Sequence, residues 1–117
     1  MTEQILDDTV FKKFSSILKD RTSRHVGLLF DGCDALLVEL GQGDVQAAHF
    51  SAHRLKSSSG QMGAVKLSSY MARLESDLDQ QLQGDRNEVL QPSELLNELS
   101  ALIIDTRQVL NTVLVDK

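Results

Sequence analysis

Apolar residues along this chain recur every three or four positions, and strict alternation is rare. The whole pattern therefore reads as helical, with no strand signal. A first helix is expected over residues 7–19, capped by Asp7 or Asp8 and striped by Val10, Phe11, Phe14, Ile17 and Leu18. The polar "DRTS" at 20–23 reads as a break, with Thr22 or Ser23 as the next N-cap. A second helix over 23–40 carries Val26, Leu29, Cys33, Leu36 and Leu40, widened by Phe30 and Leu37. "GQGD" closes it, with Gly41 suited to a left-handed C-cap and Asp44 to the next N-cap. A third helix spans about 44–62, and a fourth spans 64–82 with Leu67, Met71, Leu74 and Leu78 inward. A polar loop, "QGDRNEVLQPS", leads to a last helix with Pro92 near its first turn. Leu95, Leu96, Leu99, Leu102, Ile103, Val109, Leu110, Val113 and Leu114 supply the apolar face of that helix. The closing "VDK" is expected to fray. Together these elements predict an all-α fold, an antiparallel up-down four-helix bundle with an additional short N-terminal helix, in one domain over 1–117.

The third helix is unusual in having two faces of different chemistry. Val45, Ala48, Ala52, Leu55, Ser59 and Met62 follow 3-4-3-4-3 spacing, the seam of a bundle. His49, His53, Lys56, Ser57 and Gly60 share another face. Both histidines are thus off the seam, and three readings compete for them. One is a solvated surface without function. A second is a metal pair, since histidines four apart can clasp zinc, but no third ligand is evident and H-E-x-x-H is absent; metal: none is the expectation. The third is a phosphoryl site. A neutral imidazole is a good nucleophile near neutral pH, and Lys56, one turn on, can stabilise a phosphoryl charge. Ser57 and Gly60 are small enough to let a partner's active site approach. In a helical hairpin turning near Gly63, His53 lies ten residues before the turn and Glu75 twelve after. Glu75 is then the carboxylate best placed to orient the imidazole. The alternative is a surface glutamate paired with Arg73 or with nothing.

Charge and cysteine usage narrow the partners. The 117 residues carry a formal net charge of -5, which argues against nucleic acid. The one cysteine, Cys33, lies among apolar residues and between Asp31 and Asp34, as an inert buried thiol in a reducing cytosol would. No signal peptide is visible, and no apolar run approaches the roughly 20 residues that span a bilayer. A cytoplasmic chain with no membrane contact is the expectation.

The string from Ala52 to Glu75, "AHRLKSSSGQMGAVKLSSYMARLE", resembles the signature of histidine-containing phosphotransfer (HPt) domains, H-x-L-K-G-S-S followed by G-A, L and L-E. His53, Leu55, Lys56, Ser58, Ser59, Gly63, Ala64, Leu67, Leu74 and Glu75 fall in register with it. The resemblance implies a four-helix bundle topped by a short N-terminal helix. It also implies a phosphoryl carrier in a multistep His–Asp phosphorelay, without ATP-dependent kinase activity of its own. By this likeness His53 is the carrier, Lys56 the charge stabiliser, and Glu75 sits where the family often places a hydrogen-bonding partner of the imidazole. The implied partners are receiver domains of response regulators and of a hybrid sensor kinase, with Mg²⁺ supplied at the receiver and no intrinsic cofactor. A monomer is expected. One departure from the signature is Ser57, which stands where the family usually has glycine.

A receiver surrounding His53 would cover Arg54, Lys56, Ser57 and Gly60. Small residues supply little binding energy, so docking anchors are expected on the first helix and the start of the second, with Phe11 and Phe14 as candidates. The competing expectation is that at least one of them is buried in the bundle cap. Two alternatives of other classes remain: an adaptor bundle that binds receivers or kinases without phosphate chemistry, and a small metal-binding helical protein using "HFSAH".

Overall fold

The computed structural model describes residues 4–84 and 92–115. Five α-helices follow one another: α1 Asp8–Leu18, α2 Thr22–Gly41, α3 Val45–Gln61, α4 Val65–Leu82 and α5 Pro92–Val115, with a 3-10 turn at Lys19–Arg21 between the first two. No strand occurs among the described residues. α3 packs most extensively on α4 and α2, and α5 packs on α2, so the four long helices form the bundle and α1 lies across one end. Pro92 opens α5, as expected. Most of the polar loop before it, and the last two residues, lie outside the described residues.

The seams are those the periodicity marks. Ala48, Ala52, Leu55, Ser59 and Met62 of the α3 segment are all buried, as are Leu67, Met71, Leu74 and Leu78 of α4. Each fully buried Leu contributes about 1.5–3 kcal/mol relative to exposure. Alanine and serine on α3 bring helix axes together, and Ser59 meets its hydrogen-bonding need within the helix by donating to the Leu55 carbonyl at 2.6 Å. Thr106 does the same to Leu102 at 2.7 Å and so fills a buried α5 position between Ile103 and Leu110. α2 meets α3 closely at Gly32, where a Cβ would come within 2.8 Å of Leu55 Cδ2. Cys33 is fully buried; desolvation, with Asp34 adding to it, pushes its thiol up to about 12, which makes it unreactive.

Two boundary expectations and one burial expectation are corrected. The 20–23 break is a 3-10 turn that starts at Lys19, whose φ is 53°, and neither Thr22 nor Ser23 caps α2. Thr22 is itself helical and buried, and its hydroxyl donates back to the Lys19 carbonyl at 2.7 Å. The left-handed glycine after α2 is Gly43 (φ 72°), two residues later than expected, because Gly41 completes the helix. Ile17 leaves the α1 stripe: it is 69% exposed, while Ser15 takes a buried place. A one-layer helix lying on a bundle end buries only a narrow stripe. Asp7 and Asp44 do cap as expected, accepting from Thr9 and Val10 and from Ala47, respectively.

The turn between α3 and α4 also fixes α1. Gly63 has φ 84°, and its carbonyl accepts from Asp7 N–H at 2.8 Å. A Cβ there would lie 2.7 Å from the Asp7 carbonyl oxygen. Only glycine allows both the positive φ and this approach of backbone to backbone.

Candidate functional site

His53 projects from the middle of α3, one residue past buried Ala52, so its side chain is 60% exposed while its backbone is held in the bundle. The antiparallel α4 returns from the Gly63 turn and brings Glu75 level with it. His53 Nδ1 and Glu75 Oε2 are 2.5 Å apart, and Lys56 Nζ donates to Glu75 Oε1 at 2.6 Å. The carboxylate therefore bridges the imidazole and the ammonium, one oxygen to each. Glu75 is the least exposed of the three, at 18%.

The electrostatics decide the tautomer. The Lys56 hydrogen bond, foremost, and then that of His53, hold the Glu75 carboxyl below its ordinary range against the opposing effect of burial. Glu75 is thus ionised near neutrality and can only accept hydrogen bonds. Nδ1 must carry the proton it donates, and in the neutral ring the lone pair is on Nε2. The open ring edge is then the nucleophilic one. Glu75 does not pair with Arg73, whose guanidinium instead lies 5.6 Å over the Tyr70 ring.

Position 56 is held from its backbone as well. Ser68 of α4 donates to the Lys56 carbonyl at 2.9 Å. Gly60 lies against it: a Cβ there would meet Ser68 Oγ at 3.2 Å. Gly60 is half-buried, and its small size also accommodates Ser68 at the α3–α4 contact. Ser57 is exposed, and Arg54 beside it is also exposed. His49 is half-buried rather than simply on the surface, with Nε2 3.7 Å from Asp79 Oδ1. Among the described residues no three His, Cys, Asp or Glu side chains are grouped to hold a metal ion.

Phe11 is 3% exposed and belongs to the core, so it is corrected from a docking candidate to a cap residue. Phe14 is half-buried, 6.4 Å from the Phe11 ring and edge-on to His25 at 6.3 Å. It lines a groove of about 430 Å³ between α2 and α3, together with His25, Leu28, Phe50 and Arg54. Sequence reasoning passed over Leu28 (55% exposed) and Phe50 (61% exposed). Both stand outside the seam spacing of their helices, the one signal that could have marked them. Arg54 lies 5.7 Å over the Phe50 ring, which joins the groove to the turn that bears His53.

Among the described residues no helix is long and apolar enough to cross a membrane. No curated protein and no solved structure matched the chain significantly. The Hpt domain family matches residues 25–106, from the first turns of α2 well into α5, and that span contains His53, Lys56 and Glu75 in the signature register. A match over well over half the chain, on an all-α bundle with an exposed histidine held by a carboxylate, places this chain in the Hpt domain family, whose role is histidine phosphotransfer in phosphorelays with receiver domains.

Proposed function

We propose that this chain carries a phosphoryl group on His53 Nε2, taking it from a receiver-domain aspartate and passing it to another receiver. The observation that carries this reading is the His53–Glu75–Lys56 arrangement, with Nδ1 engaged and the His53 side chain 60% exposed. In the transfer, the Nε2 lone pair attacks phosphorus, the Nε2–P bond forms, and the P–O bond to the donor aspartate breaks. The electron pair leaves with that aspartate's carboxylate. The ring becomes cationic without gaining a proton, because Nδ1 keeps its own. Glu75 stabilises that cation, so neither direction of transfer requires a proton to move. Lys56 neutralises phosphoryl oxygen charge. The residues supply no nucleotide or metal chemistry of their own in this scheme; Mg²⁺ belongs to the receiver.

Docking by a receiver would cover Arg54 and Ser57 and extend into the apolar groove of Phe14, Leu28 and Phe50. Arg54 suits an acidic pocket rim. The test is to incubate the protein with candidate phosphorylated receivers and follow acid-labile label. Wild type acquires label on His53, and His53→Gln acquires none while its helix content and melting temperature stay nearly unchanged. Persistent label in that variant, or its appearance on His49, overturns the assignment. Receiver binding without any label would instead favour an adaptor.

A further inference from the structure

Glu75 divides its two oxygens between partners that stand in different relation to a phosphoryl group. His53 Nδ1 is on the ring edge away from Nε2 and can hold Oε2 in either phosphorylation state. Lys56 cannot be equally indifferent. Its ammonium, bonded to Oε1 at 2.6 Å, is the same group that phosphoryl oxygens on the neighbouring ring would attract. The carboxylate is the fixed partner, 18% exposed on α4 beside buried Leu74. The lysine side chain is the movable one, 37% exposed on a flexible four-carbon stem. A phosphoryl group brings about −1.5 to −2 charges and three strong acceptors, against a single charge on Glu75. The two anions therefore compete for one ammonium.

Resting on the reading of His53 as the carrier, we propose that Lys56 changes partner with phosphorylation state: it is paired with Glu75 while His53 is bare and is drawn to the phosphoryl oxygens once Nε2 is loaded. Glu75 is then a positioning residue with a second effect. By pulling Lys56 back, it shortens the life of the phosphohistidine and keeps the group ready to leave. The carboxylate is thus a built-in competitor, and the strength of its hold on Lys56 sets how long the phosphoryl group remains.

The test is a double-variant cycle that needs no receiver. Wild type, Glu75→Gln, Lys56→Ala and the double variant are loaded with phosphoramidate, whose P–N bond breaks with release of ammonia as Nε2–P forms. Decay by water is followed by ³¹P NMR, and a melting curve for each variant checks folding. Glutamine can still accept from Nδ1 but holds an ammonium weakly, so Glu75→Gln frees Lys56. The expected result is a longer lifetime in Glu75→Gln, with the ratio to its parent about fivefold larger when Lys56 is present than in the Lys56→Ala background. The Lys56→Ala background absorbs whatever the lost charge does to the ring itself. An equal ratio in both backgrounds, or a shorter lifetime in Glu75→Gln, overturns the exchange while leaving His53 as carrier. Absence of ³¹P signal on wild-type His53, or its persistence in His53→Gln, overturns the carrier reading itself.

Discussion

The reactivity proposed for His53 rests on its placement. Its neighbours along α3, Ala52 and Leu55, are buried, yet the ring stands in solvent with one nitrogen tied to Glu75. Lys56→Ala leaves the fold intact, because the side chain is partly exposed, but removes a positioned charge. Transfer in both directions is expected to slow on the order of 10²-fold, with a shorter phosphohistidine lifetime; rapid-quench kinetics with a labelled receiver measures both. Glu75 also gives a pH signature. Its folded pKa is depressed below 4.5, chiefly by the Lys56 hydrogen bond. A depressed carboxyl contributes stability that is present above the unfolded value and is lost as pH falls through the folded value. Melting temperatures of wild type and Glu75→Gln are therefore expected to differ most above about pH 4.5 and to converge as the solution is acidified further. A constant difference down to pH 2 would contradict the ion-pair origin of the shift.

The hairpin of α3 and α4 is the element that builds the site, and its turn sets the register. His53 faces Glu75 because Gly63 reverses the chain in a left-handed conformation, and the same glycine receives Asp7 at 2.8 Å. Gly63→Ala places a Cβ 2.7 Å from a backbone oxygen that cannot yield without moving α1. The expected cost is about 1–3 kcal/mol in urea denaturation, with α1 amides losing protection from hydrogen exchange before those of α2. Gly60 works differently, since the atom in its way is a serine side chain 3.2 Å off. Substitutions there press on Ser68, so a receiver titration with Gly60→Gln is read beside its melting curve.

Across the described residues, three exposed large apolar side chains, Ile17, Leu28 and Phe50, come from α1, α2 and α3 around two adjoining grooves that share Phe14 and His25, one of which reaches Arg54; Val38, Leu82 and Ile104 are exposed as well and line neither groove. On the proposed docking, this is the face where an otherwise acidic chain of net charge -5 offers apolar contacts beside an arginine. Phe50→Asp is expected to weaken receiver binding at least about tenfold, as loss of a central aromatic contact does, while leaving loading of His53 by phosphoramidate unchanged. Ser57→Arg, at an exposed position one turn from His53, should hinder transfer with little effect on stability. Amide shifts in an NMR titration that map away from α3 and this groove would place docking elsewhere.

How much of this was legible beforehand follows from which interactions are local. Helix type, the seams of α3 and α4, the Asp7 and Asp44 caps and the off-seam position of His53 depend on side chains three or four residues apart, and the spacing of residues along the chain determines them. The His53–Glu75 pairing was within reach because a short turn fixes the register of a hairpin, and both residues can be counted from Gly63. Other features required the third dimension. Nothing in the spacing says that Glu75 also holds Lys56, or that Gly60 packs against Ser68. Nor does it say that Phe11 is covered while Phe14 lines a groove, because that depends on how α1 lies across the bundle end. The sequence by itself determined the elements and the face that bears His53; the packing of α4 beside that face decided which nitrogen is free and where the lysine rests, because side chains far apart in sequence meet only after the bundle closes.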